Sequence, residues 1–275
     1  MAARAASAAD RQERAERLAY ESQQQPETEQ DPLAQLRAAA MSGDVALAQR
    51  RLSGPGDGWH SAVPAEAPDT YGDSALHLAA RNGHASVLAL ISGVDLNRRN
   101  KHGATPLWLA CFHGHKQVAQ LLLERGAEPE RLHGWLGSAP LAAAAAEGHL
   151  PLVQLLVLEH SAQVDRANKN GRTALWSAAY EGHASVVQFL VERGAGTGRK
   201  AKNGHTPFSA AVITRDTPAQ EHEYENTARP HSPARRERYD AVIEILTHVT
   251  QPEDREPIIE EKKVFKGCVE MENAR

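Results

Sequence analysis

Thr105-Pro106-Leu107-Trp108-Leu109-Ala110, followed by Gly114-His115, is a phrase that this chain repeats. Its other openings are Ser74-Ala75-Leu76-His77-Leu78-Ala79, Ala139-Pro140-Leu141-Ala142-Ala143-Ala144 and Thr173-Ala174-Leu175-Trp176-Ser177-Ala178. They are closed by Gly83-His84, Gly148-His149 and Gly182-His183, and the Gly-His pairs step by 31, 34 and 34 residues. A further opening, Thr206-Pro207-Phe208-Ser209-Ala210-Ala211, lacks the closing pair. Self-similarity at such a period marks a repeat architecture, in which one unit cannot bury its apolar face alone.

The physics of one copy is legible. Thr105 or Thr206 caps free N–H groups and Pro106 or Pro207 fits the first helical turn. Gly-His ends this helix and turns the chain. Val118, Leu121 and Leu122, and likewise Val186, Val187 and Leu190, give a second helix an apolar face. Gly126 and Gly194 stand just past that helix, where a left-handed residue is wanted. Asn97, Asn100, Asn168 and Asn170 occupy the turns between copies. Two joints are irregular: a short second helix ends at Ile91-Ser92-Gly93, and Glu159-His160-Ser161-Ala162 is one residue longer than its counterparts and has no glycine. Kinks are expected there and around Glu128–Trp135.

The period, the openings and the Gly-His turns resemble the ankyrin repeat over about residues 69–215. The resemblance implies an all-α repeat fold, an ankyrin-type α-solenoid of helix-turn-helix units joined by short β-hairpin loops. It also implies that the imidazoles of His84, His115, His149 and His183 bond the backbone of the adjacent loop. The expected organisation is a disordered or partly helical segment over 1–30, a degenerate capping repeat over 31–53 and a linker loop over 54–68. The repeats run over 69–214, four complete and a fifth begun. A charged insertion (215–238), a closing helix (239–250) and a charged tail (251–275) follow.

Composition narrows the function. The chain has 275 residues, 41% of them apolar and 5% aromatic, which suits thin stacked helices. A net charge of −4 gives no basic domain of the kind nucleic-acid binding requires. Two separated cysteines, Cys111 and Cys268, fit a reducing compartment, with Cys111 on an apolar helix face. No run is long enough to span a membrane. Asp10, Glu13 and Glu16 argue against a transit peptide. A cytoplasmic protein is expected, with the nucleus allowed, monomeric on its own and without membrane insertion.

No catalytic motif is present, so no enzyme activity and no cofactor are expected. Most of the fourteen histidines belong to the repeat phrase. His113 and His115 make a ligand pair only on paper, since the turn is expected to direct their rings apart, and a metal site needs converging ligands. The glycine-rich stretch Gly194–Lys200 sits at a repeat junction rather than a strand-to-helix turn, so it is not read as a phosphate loop. Trp108 and Trp176, where the family usually has histidine, are read as packing residues.

By resemblance, such arrays bind other proteins through the hairpin tips and the concave face of their first helices. Carried over position by position, the candidate contacts are Tyr71, Asp73, Arg81, Lys101, His102, Phe112, His113, Trp135, Leu136, Glu147, Lys169, Asn170, Arg172, Tyr180 and Glu181. Asn82, Ser138, Lys202, Asn203 and His205 occupy equivalent places. The aromatic and arginine members are types enriched at binding hot spots. Trp135 has packing against a neighbouring repeat as its alternative. Ser232-Pro233-Ala234-Arg235 makes Ser232 a candidate phosphosite. The expected function is an adaptor or scaffold; the alternatives are a structural subunit of a larger assembly, or a targeting subunit of a phosphatase or ubiquitin-ligase complex. Lys263-Val264-Phe265 approaches a phosphatase-docking motif, but its aromatic is one residue early.

Overall fold

The computed structural model describes residues 32–52, 68–134, 137–216 and 233–250. Trp135, Leu136 and Ser232 lie outside them, as do segment 1–30, the tail from 251 and most of the linker and insertion. The chain divides into two compact units, residues 1–140 and 141–275.

The first unit holds three helix pairs: α1 (Pro32–Ser42) with α2 (Val45–Leu52), α3 (Ala75–Asn82) with α4 (Ala85–Leu90), and α5 (Pro106–His113) with α6 (Lys116–Glu124). First helices pack on first helices (α1 on α3, α3 on α5), and second helices on second. The second unit holds α7 (Pro140–Ala146), α8 (Leu150–Gln154), the pair α9 (Ala174–Glu181) and α10 (Ala184–Glu192), and the pair α11 (Pro207–Asp216) and α12 (Pro233–Val249). Here α9 packs on α11, and α10 on α12.

The caps form as their residue types require. Thr105, Thr173 and Thr206 each accept, through Oγ1, a backbone N–H three residues on, all at 3.2 Å. Each pair is pinned by apolar side chains that water does not reach, among them Leu76, Leu88, Leu107, Leu122, Leu175 and Leu190. Burying one such chain stabilises the fold by about 1.5–3 kcal/mol.

The link between neighbouring pairs is polar and repetitive. His115 Nε2 donates to the carbonyl of Arg81 at 2.7 Å, His84 to Met41 at 2.9 Å and His183 to Ala146 at 2.9 Å. Each acceptor lies two residues before a turn glycine, and the imidazole lies flat against that glycine. A Cβ on Gly83 or Gly148 would stand 2.5 Å from the Nδ1 of His115 or His183.

The fifth repeat lacks the Gly-His pair but not the link. Tyr239 of α12 lays its ring on Gly182, 3.3 Å from where a Cβ would be. Its hydroxyl donates to the Tyr180 carbonyl at 2.9 Å. Tyr180 stands two residues before Gly182, the same offset the histidines use. Helix α12 starts at Pro233, ahead of the Tyr239 boundary read from the sequence, because proline fits a first helical turn and helix formers follow it.

The irregular joints are absorbed locally. Leu155–Glu159 form a π-helical turn, Ser161 adopts a left-handed φ of 52°, and the Ala162 N–H reaches the Leu156 carbonyl. The extra residue is thus taken up as a wider helical turn. Short α4 leaves carbonyls at its end, and Arg125 of the next pair caps them. Its guanidinium donates to Leu88 and Ile91 at 3.0 Å and to Ala89 at 2.6 Å.

The connecting hairpins are turns; among the described residues no strand forms, and His133 and Ser138 make an isolated bridge. One side chain organises each of three turns. Asp69 accepts the N–H groups of Tyr71 and Asp73, Asn100 those of His102 and Ala104, and Asn168 those of Asn170 and Arg172.

Gly148 and Gly194 share positive φ values, 75° and 80°, but a Cβ at Gly194 would meet nothing within 4 Å. Gly194→Ala is expected to cost about 1 kcal/mol, the backbone term alone. Gly148→Ala is expected to cost about 3 kcal/mol or more, because it also displaces His183. Urea denaturation of both variants measures the difference; equal losses would mean that the imidazole link contributes nothing.

Candidate protein-binding surface

The first unit presents its hairpin tips at residues 68–73 and 100–104. Lys101 and His102 are exposed and Tyr71 is half-buried. The tips are tied together: the Lys101 N–H donates to the Tyr71 carbonyl at 3.1 Å, and Lys101 Nζ to that of Thr70 at 2.6 Å. Asn82 is exposed at the end of α3, and its amide caps the Leu78 carbonyl at 2.9 Å.

Two expected contacts of this unit are structural instead. Asp73 is 0% exposed and Arg81 9%. They form an ion pair at 2.6 Å, and Asn100 Nδ2 donates to the other Asp73 oxygen at 2.7 Å. The carboxylate holds α3 to the next hairpin, so neither residue offers a partner its charge. His77 is buried beside them. Its Nε2–H is shared by the carbonyls of Arg98 (3.1 Å) and Ala104 (3.2 Å), which leaves Nδ1 to accept from Ser74 Oγ at 2.8 Å.

Phe112 and His113 are half-buried on α5. Phe112 stacks on buried Trp108 with centroids 5.2 Å apart, and Trp108 stacks on His133 at 3.7 Å. The rings of His113 and His115 are not turned apart as the sequence suggests; they lie within 17° of parallel, 6.2 Å apart. Lying His115 against Gly83 sets that orientation. Among the described residues no three His, Cys, Asp or Glu side chains converge on a metal position. Cys111 is buried, and burial pushes its thiol far above the usual range.

In the second unit Trp176 and Tyr180, four residues apart on α9, share a face, and Arg172, just ahead of the Thr173 cap, folds back over it. Trp176 is buried against Ala201 and Ala210, and its Nε1–H donates to the His205 carbonyl at 3.2 Å. That is the role His77 plays toward Ala104. Tyr180 stacks on it at 5.1 Å and 12°. The Arg172 guanidinium lies over the Trp176 ring at 4.3 Å and within 6.0 Å of the Tyr180 ring. Trp176 thus organises two expected contact residues; the four-residue spacing signals its stacking with Tyr180, whereas Arg172 reaches it from the turn before the helix.

Lys169 and Lys202 are exposed on adjacent tips joined by the Lys202 N–H to Asn170 carbonyl bond of 2.8 Å. Asn203 and His205 are half-buried on the second tip. Glu147 and Glu181 are half-buried at the far ends of α7 and α9. Trp135 and Leu136, outside the described residues, have no place in this geometry; Ser138 beside them is half-buried. Among the described residues no helix is long and apolar enough to cross a membrane.

Comparison with known proteins agrees with this geometry. A family model described as ankyrin repeats (3 copies) matches residues 36–133 and 141–221, well over half of the chain. The chain is 43% identical over 60 residues to the ankyrin repeat and KH domain-containing protein mask-1 of Caenorhabditis elegans, covering 21% of this chain and 2% of that protein. It is 47% identical over 53 residues to the probable E3 ubiquitin-protein ligase XBOS33 of Oryza sativa subsp. japonica, covering 18% of this chain and 10% of the ligase. It is 49% identical over 37 residues to the protein fem-1 homolog A-like of Mus musculus, 14% of this chain and 6% of that one. The chain therefore spans a small fraction of these relatives.

Two tests follow. Asp73→Ala is expected to lower the unfolding free energy by about 3 kcal/mol or more, as stranding one member of a buried pair does. A loss under about 1 kcal/mol in urea denaturation would mark Asp73 as a surface residue. The second concerns pH. Burial holds both His77 and His183 below the ordinary imidazole range. The unfolded chain then binds more protons than the folded one near the unfolded pKa. Stability is full above about pH 6.5 and falls as the pH drops through the folded values. Calorimetric melting temperature should decline from about pH 7.5 to about pH 5.5; a flat or rising profile would contradict the neutral, buried imidazoles.

Proposed function

This chain belongs to the ankyrin-repeat family, a non-enzymatic interaction fold, and we propose that it is an adaptor or scaffold that docks a protein partner on its hairpin tips and first-helix faces. The observation that carries the reading is the Arg172–Trp176–Tyr180 stack. It holds an arginine from the turn before α9 and a half-buried tyrosine of α9, both types enriched at hot spots, against one buried indole. Fixed side chains lose little rotamer freedom on binding, so more of the contact energy is retained as affinity. Phe112 on buried Trp108 is the corresponding feature of the first unit. In the first unit Tyr71, Lys101, His102 and His113 set specificity around Phe112; in the second Glu147, Lys169, Asn170 and Glu181 do so around Tyr180. Trp135 and Leu136, outside the described residues, complete the proposed set, and Ser232 remains a proposed phosphosite.

A second reading has a specific support: among the relatives are three proteins named as E3 ubiquitin-protein ligases, two of them as probable ones. In this reading the chain recruits a target for ubiquitin transfer by another polypeptide.

Affinity capture from cells with the whole chain, compared with Tyr180→Ala and Phe112→Ala, tests the proposal. Each variant is expected to lose at least about tenfold of the captured partner, the scale of a 1.4 kcal/mol hot spot, with an unchanged melting temperature. Equal capture by all three proteins would place the docking surface elsewhere. Ubiquitin-ligase subunits in the captured material would favour the second reading over the first.

A further inference from the structure

The hairpin tips of the second unit carry six cations, Arg166, Lys169, Arg172, Arg199, Lys200 and Lys202, and one carboxylate, Asp165. That carboxylate is already engaged: Arg199 lies 3.6 Å from it, and its other oxygen accepts the Gly196 N–H at 2.9 Å. Two tips are held side by side by the Lys202–Asn170 backbone bond, which brings exposed Lys169 and Lys202 to the same end of α9 as Arg172.

Charge changes sign along the helix. Arg172 precedes the first turn of α9, Tyr180 lies near its end, and Glu181 is its last residue. Glu147, just past the end of neighbouring α7, has the same sign. A ligand lying along this face meets cations, then an aromatic platform, then carboxylates.

We propose that the second unit binds a protein segment in which a short acidic run is followed by apolar residues. The inference rests on the interaction-module reading and names its partner's chemistry. The acidic run meets Lys169, Arg172 and Lys202. Lys169 and Lys202 are exposed, and stacking on Trp176 holds the Arg172 charge beside them in one place. The apolar residues then cover Tyr180. A nucleic-acid strand fits less well, because its charge is uniform and its affinity grows with the number of phosphates neutralised. A strand following α9 would run from the cations onto Glu181 and Glu147.

The probe is a fluorescein-labelled peptide of three glutamates followed by two leucines in a Gly-Ser context, titrated into the full chain by fluorescence anisotropy. The controls are the same peptide with glutamines for glutamates, and a labelled single-stranded oligonucleotide of matched length. Expected is binding of the acidic peptide that weakens at least about tenfold on raising salt from about 50 to about 300 mM. Arg172→Ala should also weaken it, since one of the three converging cations is lost. Because Arg172 touches the packed indole, the exposed pair Lys169→Glu/Lys202→Glu provides a second variant with intact folding; it should abolish the acidic peptide's binding.

Equal binding of the glutamine peptide, tighter binding of the oligonucleotide, no detectable binding of the acidic peptide, or indifference to the double charge reversal each overturns the inference. A cellular partner lost on Tyr180→Ala but retained by the charge reversal would overturn this inference alone and leave the interaction-module reading standing.

Discussion

An imidazole laid on a glycine and bonded to a carbonyl of the preceding pair is the constraint on which the rest depends. Apolar burial makes helix pairs stick but is non-directional, and it would tolerate sliding. The His115–Arg81 and His183–Ala146 bonds permit one register, because ring, glycine and carbonyl must coincide. The requirement reaches both residue types: the glycine must lack a side chain, and the histidine must aim Nε2–H at its acceptor. Tyr239 shows that the constraint is geometric. A phenol on a helix far along the chain meets Gly182 and the Tyr180 carbonyl in the same way.

The register matters for function because it fixes what projects from each pair. Tyr180 illustrates the coupling: its carbonyl is the acceptor for Tyr239, while its ring stacks on Trp176 at the surface. The residue that closes the second unit is also one of its proposed contacts. On the first unit the same helix-face positions are used differently. There Asp73 and Arg81 turn inward and form a buried pair, and the exposed groups move to the tips, at Lys101 and His102. One backbone plan therefore yields a cationic and aromatic face in one unit and an internally satisfied one in the other.

Much of the fold was legible because repetition makes the same physical statement several times. Thr-Pro openings, Gly-His turns and the apolar faces of the second helices all appear in the structure where their chemistry calls for them. What escaped was non-repeating. Asp73 stands at a position that in another repeat bears Arg172, so position alone implied exposure; only the presence of Arg81 and Asn100 within reach turned it inward. The link made by Tyr239 had no Gly-His to announce it. The extra residue before Ser161 signalled a kink but not its form, a π-helical turn. For the surface, the arginine and aromatic residue types were visible, and the four-residue spacing of Trp176 and Tyr180 pointed to their stacking; the return of Arg172 over the indole comes from the turn before the helix and carried no periodic signal.

The proposed contact with another protein lies on the face of α9 bearing Tyr180, and not on the outer helix α10 behind it. A photoreactive phenylalanine analogue placed at position 180, and separately at the exposed Gln188 of α10, tests this in cells without requiring the partner to be known. The account predicts a discrete protein adduct from position 180 and none from position 188. An adduct from position 188 with none from position 180 would contradict it.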